Sequence, residues 1–142
     1  YFVFSHDKNQ IESKSVSKSS DIKIKAKGYD VIGIDEAQFF DNGIVKICND
    51  LANEGIRVIV AGLDMDYKGD PFGPMPNLMA IAEYVTKLHA ICAKSGNLAN
   101  HSHRISNDKS LVHLGQKESY MPLSRVEFQK LIQKNKHTKE KP

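Results

Sequence analysis

Two short apolar runs flank a segment in which apolar residues recur at helical spacing. The runs are Tyr29–Ile34 and Arg57–Leu63, each bounded by polar residues. Continuous runs of this length are typical of parallel strands buried on both faces. The segment between them, Asp41–Asn53, predicts a helix with one apolar face: Ile44, Ile47, Cys48 and Leu51. A strand, a helix and a strand in this order predict a βαβ unit.

The pattern after this unit predicts a loop, further strands and two helices. The loop holds three prolines and two glycines within 13 residues, MDYKGDPFGPMPN, which disfavours any regular element there. The predicted elements are a loop over 65–77, a helix over 76–84, a strand over 85–92, a β-ribbon over 99–105, a polar loop over 106–119 and a helix over 125–134. The last helix has an apolar face formed by Val126, Phe128, Leu131 and Ile132.

The segment over residues 5–28 is rich in serine and lysine and holds few large apolar groups. It predicts a mobile connection with a weak helix near Asp21–Lys27. We therefore divide the chain into a flexible connection over 1–28, an α/β core over 29–91, a hairpin domain over 92–125 and a C-terminal helix with a basic tail over 126–142.

Charge and composition exclude several classes of function. The 142 residues carry a net charge of +3, and the tail from Val126 onward, with five lysines and two glutamates, accounts for all of it. The neutral remainder disfavours a nucleic-acid-binding face. No run reaches the ~18 apolar residues of a membrane helix. The two cysteines, Cys48 and Cys92, favour a reducing cytoplasm over a disulfide framework.

Two adjacent carboxylates, Asp35 and Glu36, follow the first predicted strand within the sequence VIGIDEAQFF. Open α/β sheets bind ligands at the carboxyl ends of their strands. A carboxylate at this place can hold Mg²⁺ in a phosphoryl-transfer enzyme, and its neighbour can act as a base. The alternative, for so short a motif, is a strand that ends in a solvated acidic turn.

Three ordered motifs resemble those of thymidine kinases of the cytosolic and bacterial type. They are D-E-x-Q-F-F at 35–40, L-D-x-x-Y-x-x-x-P-F-G at 63–73, and a G-x-x-x-x-Y element that ends at Tyr120. The likeness extends from Ser5 to Arg125 and so covers most of the chain. It implies an α/β fold: a RecA-like P-loop NTPase parallel sheet with a small β-hairpin domain, whose lasso loop closes over the nucleoside.

The resemblance also implies an activity and a site. The reaction is transfer of the γ-phosphoryl group of ATP to the 5′-hydroxyl of thymidine, with deoxyuridine left open as a second substrate. Asp35 would hold Mg²⁺ directly or through water, and Glu36 would be the general base. The implied cofactor-binding residues are Asp35, Glu36, Ala37 and Gln38. A homotetramer in the cytoplasm is expected, with no nucleic-acid or membrane partner.

The implied thymidine pocket draws on the second and third motifs. Tyr67 would pack on the thymine ring, with Leu63 and Phe72 as apolar walls, although composition alone would assign such aromatic residues to a core. Backbone groups of a lasso segment would read the thymine edge, so the side chain of His113 needs no role of its own. That segment comprises Leu111, Val112, His113, Leu114 and Gly115, and Tyr120 would contact the nucleoside.

The chain departs from the family in lacking a phosphate cradle. No G-x-x-x-x-G-K-[ST] occurs in the sequence, and a kinase of this type needs that backbone loop and lysine to hold ATP. We therefore expect an N-terminally shortened kinase, inactive in this form. The rival hypotheses are a helicase-like ATPase, suggested by Asp35-Glu36-Ala37-Gln38 as a DEAQ box, and a noncatalytic fragment.

A second departure concerns zinc. Many members of this family tie the lasso domain with two C-x-x-C pairs. Here Cys92 is paired with Ser95, and the second pair maps to Ser124 and Glu127. One thiolate and one carboxylate are inadequate for a structural site, so we expect no zinc. A substitute zinc site is conceivable by residue type from His89, Cys92, His101 and His103. The favoured alternative is a polar hairpin with two outward-facing histidines.

Overall fold

The computed structural model describes residues 2–4, 10–105 and 120–139, in which short sheets alternate with helices. The strands are β1 (Phe2–Phe4), β2 (Gln10–Glu12), β3 (Val31–Ile34), β4 (Arg57–Val60), β5 (Ala90–Ile91), β6 (Leu98–Ala99), β7 (His101–Arg104) and β8 (Tyr120–Leu123). The α-helices are α1 (Ser19–Lys25), α2 (Gly43–Asn53), α3 (Met75–Ile81) and α4 (Arg125–Lys139). The chain is therefore of mixed α/β class.

The described residues fall into two compact units. The first lies within residues 1–63 and 73–82, and the second within 64–72 and 83–142. Residues 64–72 of the loop between β4 and α3 thus belong to the second unit, whereas α3 belongs to the first.

The first unit is built on the predicted βαβ arrangement. Strands β3 and β4 pair in parallel, with Val31 opposite Arg57 and Ile34 opposite Val60. Helix α2 connects them and buries Ile44, Cys48 and Leu51, as its apolar periodicity predicts. Each fully buried aliphatic side chain of this kind contributes about 1.5–3 kcal/mol. The core of this unit consists of Ile22, Ala26, Ile34, Ala37, Ile44, Cys48, Leu51, Met75 and Leu78.

The expectation that both strands are buried on both faces is wrong within the described residues. Val31 is 52% exposed and Ile59 is 51% exposed, whereas Ile34 is buried. One face of the two-stranded sheet packs on the core and the other faces solvent. An apolar run records the residue types of a strand, but the number of covered faces depends on distant neighbours.

Helix α1 confirms the weak helix expected near Asp21–Lys27. It begins at Ser19 and buries Ser19 and Ile22. Ser19 donates its hydroxyl to Asp41 Oδ1 at 2.7 Å, and the same oxygen accepts the N–H of Gly43 at 2.8 Å. These bonds, led by that of the Ser19 hydroxyl, lower the pKa of Asp41. The segment is therefore part of the first unit's core, and not only a connection.

The second unit contains two antiparallel strand pairs and α4. Strand β5 pairs with β6, and β7 pairs with β8, which confirms a β-ribbon near 99–105. Helix α4 packs Phe128 against them, and Leu131 and Ile132 are partly buried. Val126 is 63% exposed, so its predicted place on the apolar face is wrong. The core of this unit consists of Cys92, Ala99, Leu123 and Phe128.

The strand predicted over 85–92 is present only as β5. Residues 84–89 have no regular structure, and the side chains of Tyr84 and Leu88 are 94% and 91% exposed. An apolar pattern makes a strand only where another strand accepts its hydrogen bonds, and no described strand lies beside these residues. The helix predicted over 76–84 is α3, which begins one residue earlier and ends at Ile81.

The loop predicted over 65–77 is confirmed from Met65 to Pro74, and α3 begins at Met75. An isolated bridge joins Met65 and Pro71 within it. The polar loop predicted over 106–119 lies outside the described residues. None of the helices in the described part of the chain combines the length and the apolar character that a membrane crossing requires.

Candidate functional site

Asp35 and Glu36 lie directly after β3, at the edge of the parallel pair where both strands end. Both residues are exposed. Asp35 Oδ1 accepts the backbone N–H of Glu36 at 2.9 Å, which fixes the first carboxylate against the second residue's main chain. Parallel pairing with β4 therefore places two carboxylates at the edge of the sheet where α/β proteins bind ligands.

The backbone of Glu36 is left-handed. Its φ is 53° and its ψ is 38°, and it is the only non-glycine residue with positive φ among those described. A conformation of this kind costs about 1–3 kcal/mol and persists where surrounding contacts impose it. Here the Ala37 N–H is donated to the Ala61 carbonyl at 3.0 Å, and the Phe39 N–H to the Glu36 carbonyl at 3.1 Å. The bend after β3 is thus fixed by hydrogen bonds at Glu36 and directly after it.

Gln38 lies in the short 3-10 turn Ala37–Phe39 and contacts both ends of the site. Its Nε2 donates to Glu36 Oε2 at 2.5 Å, and its Oε1 accepts the N–H of Leu63 at 3.0 Å. The side chain is only 3% exposed. The structure therefore brings together the predicted residues of the first unit: Asp35, Glu36, Ala37, Gln38 and Leu63.

In the second unit, Asp66 organises the loop that carries Tyr67. Its Oδ1 accepts the N–H groups of Lys68 and Asp70, at 2.8 and 3.0 Å. Its own N–H is donated to the Asp70 carbonyl at 2.9 Å. A side-chain carboxylate that accepts two amide N–H groups of the same turn supplies the acceptor that these groups lack in an isolated loop. The backbone of Tyr67 therefore lies in a turn that the hydrogen bonds of Asp66 close.

Arg104 joins two of the predicted nucleoside contacts. Its guanidinium carbon lies 4.0 Å from the centre of the Tyr67 ring, a cation–π distance. Its Nη2 and Nε donate to the Tyr120 hydroxyl at 2.8 and 3.2 Å. Arg104 is 5% exposed, so this arrangement is held inside the unit. Tyr67 and Tyr120, which are 53 residues apart in sequence (120 − 67), are thereby brought together.

A cavity of about 230 Å³ opens beside this cluster. Pockets that enclose a drug-sized ligand usually measure about 300–1,000 Å³, so this one alone would not enclose a nucleoside. Its walls are mainly apolar and aromatic, with cationic groups among them. The lining residues are Tyr67, Lys68, His103, Arg104, Phe128 and Ile132.

The remaining predicted substrate contacts are Phe72 and the residues of the lasso segment. Phe72 is 9% exposed, and its N–H is donated to the Asp64 carbonyl at 3.0 Å. The lasso residues Leu111, Val112, His113, Leu114 and Gly115 lie outside the described residues, and their roles stay predictions.

Comparison with known proteins identifies the family. The sequence profile of the thymidine kinases matches residues 1–128. The chain belongs to the thymidine kinase family. Thymidine kinases of Bacteroides fragilis, Bacteroides thetaiotaomicron and a Rhodothermus species are 53, 56 and 54% identical to it, over 94, 87 and 89% of its length. The chain spans 67, 62 and 60% of the lengths of these relatives.

The family resemblance implies a divalent cation beside the nucleotide, and Asp35 at the end of β3 offers a ligand of a suitable type. Among the described residues, no three His, Cys, Asp or Glu side chains are grouped so as to hold a metal by themselves. Mg²⁺ usually takes one or two carboxylates and completes its shell with water and substrate phosphates. The exposed carboxylate of Asp35 meets that requirement.

The second unit also shows the surroundings of the residues considered for zinc. Burial alone would raise the pKa of the Cys92 thiol, but the Ser95 hydroxyl and the N–H groups of Ser124, Lys94 and Ser95 face the sulfur and lower the pKa to about 6. His101 is stacked on Phe128, with ring centres 4.4 Å apart. Burial lowers the pKa of both His101 and His103. That no zinc binds here stays a prediction.

Three residues with clear structural roles were missed or only partly foreseen from the sequence. Gln38 was expected to bind cofactor, but its double contact with Glu36 and Leu63 was not foreseen. Arg104 and Asp66 were not singled out at all. An aspartate, Asp66, within a loop rich in glycine and proline was the available signal for a turn capped by a side chain. No local signal points to Arg104, because its partners are distant in sequence.

Proposed function

We propose that this chain provides the nucleoside-binding and proton-accepting residues of an ATP-dependent thymidine kinase. The observation that carries the proposal is the Asp35–Glu36 pair at the carboxyl end of a parallel strand, in a chain that belongs to this family. The fold is proposed to be part of a RecA-like nucleotide-binding sheet. Its parallel β3–β4 pair with the connecting α2 is consistent with such a sheet.

In the proposed reaction the 5′-hydroxyl oxygen of thymidine attacks the γ-phosphorus of ATP, and the bond from that phosphorus to the β–γ bridging oxygen breaks. ADP leaves, and the hydroxyl proton passes to the carboxylate of Glu36. Positioning and charge neutralisation account for most catalysis of phosphoryl transfer. A base that is fixed near the hydroxyl adds about 10²–10⁴-fold.

Asp35 is proposed to hold Mg²⁺, directly or through a water molecule. When bound, the cation neutralises charge on the transferred phosphoryl group. Ala37 is buried, with 0% exposure, and its N–H is already donated to Ala61, so we assign it no direct ligand contact. The groups that hold the ATP phosphates are not assigned, because the sequence contains no G-x-x-x-x-G-K-[ST].

Thymine is proposed to pack on the ring of Tyr67, and Tyr120 is proposed to contact the nucleoside. Arg104 supports this assignment, because it fixes both tyrosines at once and buries its charge in doing so. A flat pyrimidine gains stacking and apolar contact on a ring that is already held in place. Leu63, Phe72 and the lasso residues complete the proposed substrate set. A cytoplasmic homotetramer is proposed from the family resemblance alone.

The test is nucleoside-dependent transfer of the γ-phosphoryl group from labelled ATP, with thymidine, deoxyuridine and a ribonucleoside control. It is measured on the product of the complete gene, including any residues outside the 142 described above. We expect labelled thymidine monophosphate. Glu36→Gln should lower kcat by at least about 100-fold, because the base acts mainly in the transition state, and should leave thymidine binding unchanged.

Glu83→Gln is the matched control, because Glu83 is also an exposed carboxylate but lies outside the proposed site. It should retain full activity. Absence of any nucleoside phosphorylation, or ATP hydrolysis that responds to nucleic acid and not to thymidine, would contradict the proposal. An equal loss of kcat and of thymidine affinity in Glu36→Gln would assign Glu36 a structural role.

A further inference from the structure

The amide of Gln38 has only one orientation that satisfies its neighbours. Its Nε2 donates to the Glu36 carboxylate, which can only accept, and its Oε1 accepts from the Leu63 N–H, which can only donate. A rotated amide would place oxygen against oxygen at one end and nitrogen against N–H at the other. The two contacts therefore determine each other.

Two glycines make room for Gln38. A methyl group on Gly62 would lie 2.7 Å from Gln38 Oε1 and 2.9 Å from Met75 Sδ. A methyl group on Gly73 would meet the backbone carbonyl of Gln38, closer than carbon atoms normally approach. Glycine at these two positions therefore lets the backbone approach the side-chain oxygen of Gln38 at Gly62 and its main-chain carbonyl at Gly73.

Glu36, by contrast, has an exposed side chain with several rotatable bonds. A base of this kind samples many rotamers unless another group holds it. The only described side chain that donates to its carboxylate is that of Gln38. Leu63 follows the end of β4, so the contact also connects the carboxylate to the neighbouring strand.

We propose that Gln38 is a positioning residue, which holds the Glu36 carboxylate for proton transfer and fixes its place relative to the backbone at Leu63. This inference rests on the proposed function, because it takes Glu36 as the base. It assigns Gln38 a role other than the ATP contact implied by the family resemblance, since its oxygen and one of its N–H groups are used within the protein.

The first experiment compares kcat with the KM values of thymidine and ATP in Gln38→Met, which keeps the length of the side chain and removes its hydrogen bonds. A misplaced catalytic group can cost about 100-fold, so we expect kcat to fall by that order while both KM values are retained. Gln129→Met, on the exposed face of α4, is the matched control and should behave as wild type.

A raised KM for ATP with kcat retained would make Gln38 a direct ligand of the nucleotide and overturn the proposal. A lower melting temperature with unchanged kcat would make it structural only and would equally overturn it. The second experiment adds Glu36→Gln. If Gln38 acts through Glu36, Gln38→Met should cause no further loss in that background, whereas multiplicative losses would show independent action.

A third measurement does not depend on activity. Gln38→Met should accelerate hydrogen exchange of the Leu63 amide and shift its NMR resonance, and Gln129→Met should do neither. If this change is seen but wild type fails to phosphorylate thymidine, the proposed function fails and the contact stands. If wild type is active and the Leu63 amide does not respond, the positioning proposal alone fails.

Discussion

Replacing Gly73 with alanine should destabilise the first unit through two separable effects. The residue has a φ of +50°, in the left-handed region, where a Cβ is unfavourable. The added methyl group would also lie 3.2 Å from the carbonyl carbon of Gln38 and nearer still to its oxygen. The contact is with backbone, so no side-chain rotation can relieve it.

The expected cost follows from adding these effects. A left-handed backbone costs a non-glycine residue about 1–2 kcal/mol. Overpacking by one methyl group costs about 1–3 kcal/mol. We therefore expect Gly73→Ala to lower the free energy of unfolding by about 2–5 kcal/mol, which at a typical urea m value of ~2 kcal/mol/M lowers the midpoint by about 1–2.5 M.

Two other glycines separate the contributions. Gly28 has a φ of +84° and nothing within 4 Å of an added Cβ, so Gly28→Ala should show the backbone cost alone. Gly33 has neither positive φ nor a close neighbour, and Gly33→Ala should cost least of the three. Urea unfolding of the three variants is the assay. If Gly73→Ala costs no more than Gly28→Ala, the close approach to Gln38 is not energetically important and the reasoning is refuted.

Two further predictions concern the second unit. Arg104→Lys should raise the KM for thymidine by about tenfold or more, with less effect on kcat. The reason is that lysine keeps the charge but cannot both stack on Tyr67 and donate twice to Tyr120. An unchanged KM for thymidine would contradict the role given to Arg104. Because burial lowers the pKa of His101 and His103 below 6.5, the unfolded chain binds protons that the folded chain does not as the pH falls below 6.5. The free energy of unfolding should therefore decrease as the pH is lowered below 6.5, and urea titrations at several pH values would measure this. His103→Gln should make the free energy of unfolding depend less steeply on pH.

Local pattern was sufficient for elements whose partners are near in sequence. The apolar spacing of α2 predicted its buried face, and the two apolar runs predicted β3 and β4. The prediction of a strand over 85–92 was wrong for most of its length, because a strand depends on hydrogen bonds to another strand. The composition of the segment does not show whether such a partner exists. The prediction that Val31 is buried was wrong for a similar reason, because the burial of a side chain depends on which element lies opposite it.

The same limit applies to the candidate site. Asp35 and Glu36 were predicted because strand, position and residue type all lie within a few residues of one another. The contacts that hold the site were not predicted. Gln38 reaches Leu63 across 25 positions, and Arg104 reaches Tyr120 across 16. Such contacts follow from the folded chain and have no signature in a single sequence.

The left-handed backbone at Glu36 places selection for stability in conflict with selection for activity. Glycine and asparagine tolerate positive φ better than glutamate does, so either would relieve strain of about 1–3 kcal/mol at this position. A library of variants selected only for abundance of folded protein should therefore drift away from glutamate at 36. Selection for thymidine phosphorylation should restore it. Glu36 would then be a position that only function maintains.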